Sequence, residues 1–216
     1  MLQHVWERAR QARCLSEVVV ATDDERIAEA ARGFGARAAM TRADHASGTD
    51  RAAEVAAADE ATLVVNIQGD EPLIEPAAID AAAEALLEDE VAPMASLMKR
   101  IEDEAEITNP NVVKVVVNFA WDAIYFSRSP LPYSRDGEAR ECFKHIGLYV
   151  YRRDFLLGYS GLRVGPLERA ERLEQLRAIE NGYRIRMKET RYESLGVDTP
   201  EDLERAGARL AALVRL

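Results

Sequence analysis

Cysteine is nearly absent. Cys14 and Cys142 are the two that the 216 residues carry. That is too few for a disulfide scaffold, and no Cys/His cluster has zinc-ligand spacing, so both are read as reduced thiols. No apolar run approaches the roughly 18 uninterrupted residues of a membrane-spanning helix. Residues 1–13 are amphipathic and charged where a secretory leader needs an apolar stretch, so membrane insertion is not expected and a cytoplasmic location is the default. Basic residues are outnumbered, 28 Lys and Arg against 38 Asp and Glu, for a net charge of −10. This argues against a nucleic-acid partner, which would need a basic face over the phosphates. It leaves room for a nucleotide-binding enzyme, because a metal and a few local cations can hold a triphosphate. Glycine-rich phosphate loops are also missing: there is no Walker-type loop and no GxGxxG. The chain opens on a helix, where doubly wound folds usually open on a strand and a phosphate-cradling loop.

What is present is a chain with 48% apolar residues, enough for one sizeable core and, by default, one domain over 1–216. Helical spacing runs through 2–13, and an apolar run at 18–21 reads as a strand. Thr22-Asp23-Asp24 suits an N-cap for a helix that stops at Gly33 or Gly35. Strand signals follow at 36–40, 62–67, 94–99, 112–118, 123–126, 145–152 and 183–190. Helices are expected at 50–60, 76–88, 166–182 and 200–216. Alternating strands and helices predict an α/β fold around a mostly parallel sheet flanked by helices. The stretch 95–165 is richer in strand and turn and is expected to form an antiparallel sub-sheet carrying a small added lobe.

Ligands of open α/β sheets bind outside the carboxyl ends of the strands. Three polar clusters follow apolar strands in this way: Thr22-Asp23-Asp24, Gln68-Gly69-Asp70-Glu71 and Gly196-Val197-Asp198-Thr199. The last two each offer a carboxylate beside a glycine, and two such carboxylates over one crevice could hold Mg²⁺ together with substrate phosphates. Thr199, Pro200 and Asp202 are explained by a helix start, with Thr at N-cap, Pro at N1 and an acid at N3. Asp198 is not. A second dense cluster, residues 41–51, contains Thr41, Arg42, Ser47, Gly48, Thr49 and Arg51 ahead of a helix. It reads either as an anion site at a helix N-terminus or as a solvated, capped loop. Alternation puts His145, Gly147 and Tyr149 on one strand face; a lone histidine there also fits a structural role. Glu174-Gln175 reads as a surface pair on the helix 166–182.

Taken together, MTRADHASGTDR, VVNIQGDEPLI, NPNVVKVV, YFSRSPLPY, KHIGLYVYRRDFL, PLERAERLEQLRAIENGYRI and GVDTPEDLERA occur in the order in which they resemble the 3-deoxy-manno-octulosonate (Kdo) cytidylyltransferases, the CMP-Kdo synthetases. The similarity runs over essentially the whole chain. It implies a nucleotide-diphospho-sugar transferase fold, a homodimer, and transfer of CMP from CTP to Kdo with Mg²⁺, releasing pyrophosphate for lipopolysaccharide assembly. Asp70 and Asp198 match the family's metal-binding aspartates, and Gln68 a position in the same catalytic site. Thr41, Arg42, Ser47, Gly48, Thr49 and Arg51 match the segment around the cytidine nucleotide. His145, Tyr149, Glu174 and Gln175 match positions lining the Kdo pocket. Other CMP-sugar synthetases, acting on sialic acid or amino-Kdo, are the nearest alternative; HIGLYVYRR and LEQLR favour Kdo. A non-catalytic nucleotide- or sugar-binding form is the alternative of another class. Two features depart from the family pattern. Residues 118–122 replace a glycine-containing hairpin turn. The family's N-terminal strand and Arg/Lys phosphate loop have no counterpart, so residues 1–216 alone are expected to turn over little.

Overall fold

A computed structural model describes residues 1–137, 140–197 and 199–213. The chain begins with helix α1 (Leu2–Ala9). Strand β1 (Val19–Thr22), helix α2 (Glu25–Gly33) and strand β2 (Arg37–Met40) follow. β1 and β2 pair in parallel as a small separate sheet. Asp24 caps α2, its carboxylate accepting from the Arg26 amide at 2.8 Å. Helix α3 (Gly48–Ala57) leads to strand β3 (Leu63–Asn66), and helix α4 (Pro76–Leu87) to strand β4 (Met94–Arg100). After the short helix α5 (Glu104–Thr108) come β5 (Lys114–Val117), β6 (Ala123–Ser127) and the long β7 (Phe143–Arg152). The chain continues through α6 (Arg153–Tyr159), α7 (Pro166–Glu171), α8 (Leu176–Glu180), β8 (Ile185–Glu189) and α9 (Pro200–Leu213).

The larger sheet runs β6-β5-β7-β4-β8, with β3 also on β7. The α/β layering agrees with the sequence reading, but strand direction is more mixed than expected. Besides β1–β2, β4–β8 is the parallel pair among the described strands, and β7 runs antiparallel to β3, β4 and β5. The antiparallel stretch is therefore not a separate sub-sheet: β7 carries it into the centre. This arrangement makes a crevice. β3 occupies residues 149–152 of one β7 edge, and β5 occupies 143–144 of the same edge. β3 leaves the sheet between them, toward Gln68-Gly69-Asp70.

On its other side β7 meets β4 across a bulge, where Ser96 pairs with Tyr149 and Leu97 with Ile146. The displaced β7 residues Gly147 and Leu148 lose regular ladder geometry there. Ser96, wholly buried, fills the gap with a hydroxyl facing the carbonyls of Ile146 and Leu148. One apolar cluster, including Ile79, Leu86, Leu97 and Leu148, packs α1 and α4 against the sheet. A second, including Phe126, Tyr151, Tyr159 and Leu176, covers the other face.

The expected helix over 166–182 is two short helices. Arg172 takes φ 53°, ψ 49°, a left-handed residue that ends α7. The Glu180 carboxylate caps α7 by accepting from the amides of Leu167 (2.9 Å) and Glu168 (3.0 Å). Gly165 permits this, since a Cβ there would stand 2.1 Å from the Glu180 carboxyl carbon. The capping box at the start of α9 is as read from the sequence: Thr199 Oγ1 donates to Asp202 at 2.9 Å and accepts from its amide at 3.2 Å. The 118–122 turn closes without glycine. Trp121 takes φ 62°, and Asn118 Oδ1 accepts from the amides of Ala120 and Asp122, each at 2.9 Å.

Candidate active site

The site forms where β3 ends. An apolar strand running into Gln68-Gly69-Asp70 delivers polar groups at the carboxyl edge, and four long-range hydrogen bonds hold that loop. The Glu71 carboxylate is buried. It accepts from the hydroxyls of Tyr192 and Ser194, both at 2.8 Å, 121 and 123 residues away in sequence. Burial raises its pKa above the usual carboxylate range. Arg8 of α1 donates to the Ile74 carbonyl at 2.5 Å, and Leu2 lies against Gly69. The Val197 amide donates to the Asp70 carbonyl at 3.0 Å, and Gly196 packs beside the Asp70 carboxylate. The ends of the segments carrying Asp70 and Asp198 are thereby stitched together. Asp198 itself lies outside the described residues. Asp70 is half-buried, and its carboxylate takes no hydrogen bond among the described residues.

The N-terminus of α3 faces this loop. Ser47 caps it, and Gly48 lies against Gln68, whose Oε1 would be 4.0 Å from a Cβ there. The cap does not end in solvent, because Ser47 Oγ lies 3.0 Å from Glu174 Oε1 and Thr49 Oγ1 donates to Glu174 Oε2 at 3.2 Å. Desolvation raises the Glu174 pKa more than these hydroxyls lower it. Glu174 and Gln175 are therefore not a helix surface pair. They lie in the connection after Arg172, which turns them inward. Gln175 is 4% exposed; its Oε1 accepts from the Tyr149 hydroxyl at 3.1 Å and its Nε2 is buried without a partner. His145 stacks obliquely on Tyr149, ring centroids 5.4 Å apart, and joins the same face of β7. Desolvation lowers the His145 pKa below that of a free imidazole, which favours the neutral ring.

Arg51 reaches back to Thr41 and to Asp23, Nη2 to Oδ1 at 3.3 Å, drawing the end of β1 toward α3. Arg42 does not join this group. Its side chain is 69% exposed and lies 3.6 Å from Asp44 and 3.7 Å from Glu54. Glu54 accepts from the Arg42 amide at 3.2 Å and pairs with His45, so it anchors the 41–47 loop. The sequence pattern assigns no role to Glu54 or Ser96, and it marks Glu71 only as a member of the polar cluster after β3. The one local signal is Ser96, a lone hydroxyl inside the apolar run Met94 to Met98.

The ends of apolar strands, a capped helix N-terminus and an inward amide thus surround one crevice. A match to the family described as Cytidylyltransferase spans residues 1–188. The chain belongs to the cytidylyltransferase family. A 3-deoxy-manno-octulosonate cytidylyltransferase of Solibacter usitatus is 65% identical over 99% of this chain and 85% of that relative. One of Geobacter metallireducens is 54% identical over 98% of this chain and 87% of the relative. Among solved structures, a CMP:2-keto-3-deoxy-manno-octonic acid synthetase complexed with CTP matches at TM-score 0.94. It shares 47% identity, covering 98% of this chain and 87% of that one. The fold extends beyond cytidylyltransferases: a putative glucose-1-phosphate thymidylyltransferase of Bacillus anthracis matches at TM-score 0.64 with 14% identity, over 96% of this chain and 81% of that one. No helix among the described residues is long and apolar enough to cross a membrane.

Proposed function

We propose that this cytidylyltransferase transfers CMP from CTP to Kdo, releasing pyrophosphate and supplying CMP-Kdo for lipopolysaccharide assembly. It would act in the cytoplasm and as a homodimer. The observation that carries this reading is the 65% identity, over 99% of the chain, to a relative bearing that activity as its name. The crevice supports it. The sugar's anomeric hydroxyl would attack the α-phosphorus of CTP, so charge builds on phosphoryl oxygens and on the leaving pyrophosphate. Asp70 suits a Mg²⁺ site, with its carboxylate half-exposed and uncommitted and the chain before Asp198 bonded to its backbone. Asp70 and Asp198 are the residues that would hold the ion. Mg²⁺, when bound, neutralises phosphate charge. Gln68 lies against the start of α3 and would orient the reacting groups. Ser47, Gly48 and Thr49 offer a helix N-terminus to the nucleotide, flanked by Thr41 and Arg51. Arg42, exposed, would reach the nucleotide through a change of rotamer. Tyr149, Glu174 and Gln175 make the wall that would receive the sugar acid, with His145 on the same strand face.

Base choice follows from the same loop. Cytosine presents an exocyclic amine donor and a carbonyl acceptor, whereas uracil sets an acceptor against the loop's acceptors. A buried mismatch of this kind costs about 1–3 kcal/mol, so kcat/KM for UTP should fall roughly 10- to 100-fold below that for CTP. Competition between the two nucleotides in a pyrophosphate-release assay measures this, and equal use would contradict the assignment of residues 40–51.

The orphaned Gln175 amide sets a second expectation. Gln175→Leu removes an unpartnered donor and also the acceptor of the Tyr149 hydroxyl, two opposing terms that should leave stability within about 1 kcal/mol. Affinity for Kdo should drop about tenfold, one hydrogen bond's worth in a buried site. Titration of Kdo by calorimetry reads the effect, and an unchanged dissociation constant would place Gln175 outside the sugar pocket.

A further inference from the structure

The bulge between β4 and β7 does more than fill space. Three groups lie within hydrogen-bonding distance of the wholly buried Ser96 Oγ: the Leu148 carbonyl at 2.8 Å, the Ile146 carbonyl at 3.2 Å and His145 Nε2 at 2.8 Å. A hydroxyl has one proton to give and lone pairs to receive with. Carbonyls can only accept. If Ser96 gave its proton to Nε2, two carbonyl oxygens would face its lone pairs with no hydrogen between them, in a buried position where unmet acceptors are costly. If the proton goes to a carbonyl, Leu148 at the shorter distance, Oγ meets Nε2 with a lone pair, and Nε2 has to carry the hydrogen. Only the second arrangement satisfies both ends of the chain His145 Nε2–H to Ser96 Oγ–H to Leu148 O.

The ring packs against two aromatic neighbours, Phe126 with centroids 4.9 Å apart and Tyr149 at 5.4 Å. Nδ1 then has a bare lone pair. Among the described residues it has no partner in the chain, and it is not one of the buried unpartnered atoms. His145 is partly exposed on the β7 face it shares with Gly147 and Tyr149, the face of the proposed sugar pocket.

We infer that Ser96 is a positioning residue that locks His145 as its neutral Nε2–H tautomer, so that Nδ1 accepts a hydrogen bond from a hydroxyl of the bound sugar acid. This rests on the reading of the crevice as a Kdo pocket. It adds a polarity to that pocket: the ligand atom opposite His145 is a hydroxyl donor, and a carboxylate or keto oxygen there is turned away. The low pKa imposed on the ring by burial agrees with a group that recognises without exchanging a proton.

The test is nitrogen spectroscopy of the histidine rings in the whole chain, with His145 identified by its loss in His145→Gln. The wild-type protein should show a protonated Nε2 and a bare Nδ1 throughout neutral pH. Adding Kdo should shift the Nδ1 resonance, as an accepted hydrogen bond does. Ser96→Ala should mix the two tautomers and weaken Kdo binding about tenfold, and Ser96→Thr should restore both. A wild-type Nδ1–H tautomer would overturn the lock, and this result needs no variant to fold. A pure Nε2–H tautomer whose Nδ1 does not respond to Kdo would overturn the role in sugar binding while leaving the lock itself in evidence, so the two failures are separable. Ser96→Ala that loses stability but keeps one tautomer and full Kdo affinity would also overturn the proposal.

Discussion

Replacing Asp70 by Asn is expected to cut CMP transfer by about 10²- to 10³-fold, the range seen when a single group that stabilises developing charge is removed. The protein should fold as before. The Asp70 carboxylate takes no hydrogen bond among the described residues, and the contact that ties the loop down, from the Val197 amide, goes to the main-chain carbonyl that Asn keeps. Asn is isosteric but uncharged, so it would weaken Mg²⁺ without disturbing packing. Kdo-dependent pyrophosphate release and a thermal melt together check the claim. Near-wild-type turnover would remove Asp70 from the metal site. The neighbouring Glu71 cannot take over, because its oxygens are engaged by Tyr192 and Ser194.

Lys114→Met is expected to cost about 3 kcal/mol or more in unfolding free energy. Lys114 is wholly buried in β5, and its ammonium donates to the carbonyls of Asn109 (2.8 Å), Val112 (2.6 Å) and Arg128 (2.7 Å). Burial lowers its pKa, and no carboxylate bonds to it among the described residues. Met keeps the hydrocarbon stem and deletes the donor. The three carbonyls lie at the buried end of the Lys114 stem in a partly buried setting; each one left without its donor costs up to about 1–3 kcal/mol, less what rehydration recovers. The effect should reach the sugar pocket as well. Arg128, whose carbonyl Lys114 holds, donates through Nε to the Glu171 carbonyl at 2.9 Å and through its amide to the Glu171 carboxylate at 2.9 Å, just before the turn into Glu174 and Gln175. Urea unfolding measures the loss, and a change below about 0.5 kcal/mol, the range of an ordinary surface substitution, would show that the ammonium is replaceable.

What could be read from the sequence were features encoded within a few residues. The α9 capping box, the Asp24 cap and the strand ending at Gln68 depend on neighbours in the chain. So does the face shared by His145, Gly147 and Tyr149, since period-two alternation is a local property. Features made by distant partners were not legible. Glu71 looks like one more turn carboxylate until Tyr192 and Ser194 arrive to bury it. The spacing of Leu173 and Leu176 fits a helix, yet the chain breaks at Arg172 and turns Glu174 toward Ser47, 127 residues earlier. Strand direction is not legible for the same reason. Alternating elements favour parallel pairing, but the long β7 returns through the sheet antiparallel to β3, β4 and β5, and nothing local announces where it inserts. The 118–122 turn departs from a glycine pattern. Its solution is chemical: the Asn118 side chain holds the backbone while Trp121 takes the left-handed conformation that glycine would take more cheaply.

If the crevice joins CTP to Kdo, the reaction itself is observable. Phosphorus NMR of the protein with CTP, Kdo and Mg²⁺ tests it directly, run at high protein concentration and long enough to register slow turnover. The three CTP resonances should be lost with equal growth of pyrophosphate and a single phosphodiester signal, and no such change should appear when Kdo is left out or Asp70 is replaced by Asn. Pyrophosphate released equally without Kdo, or CTP left intact beside Kdo while another sugar acid is converted, would contradict it.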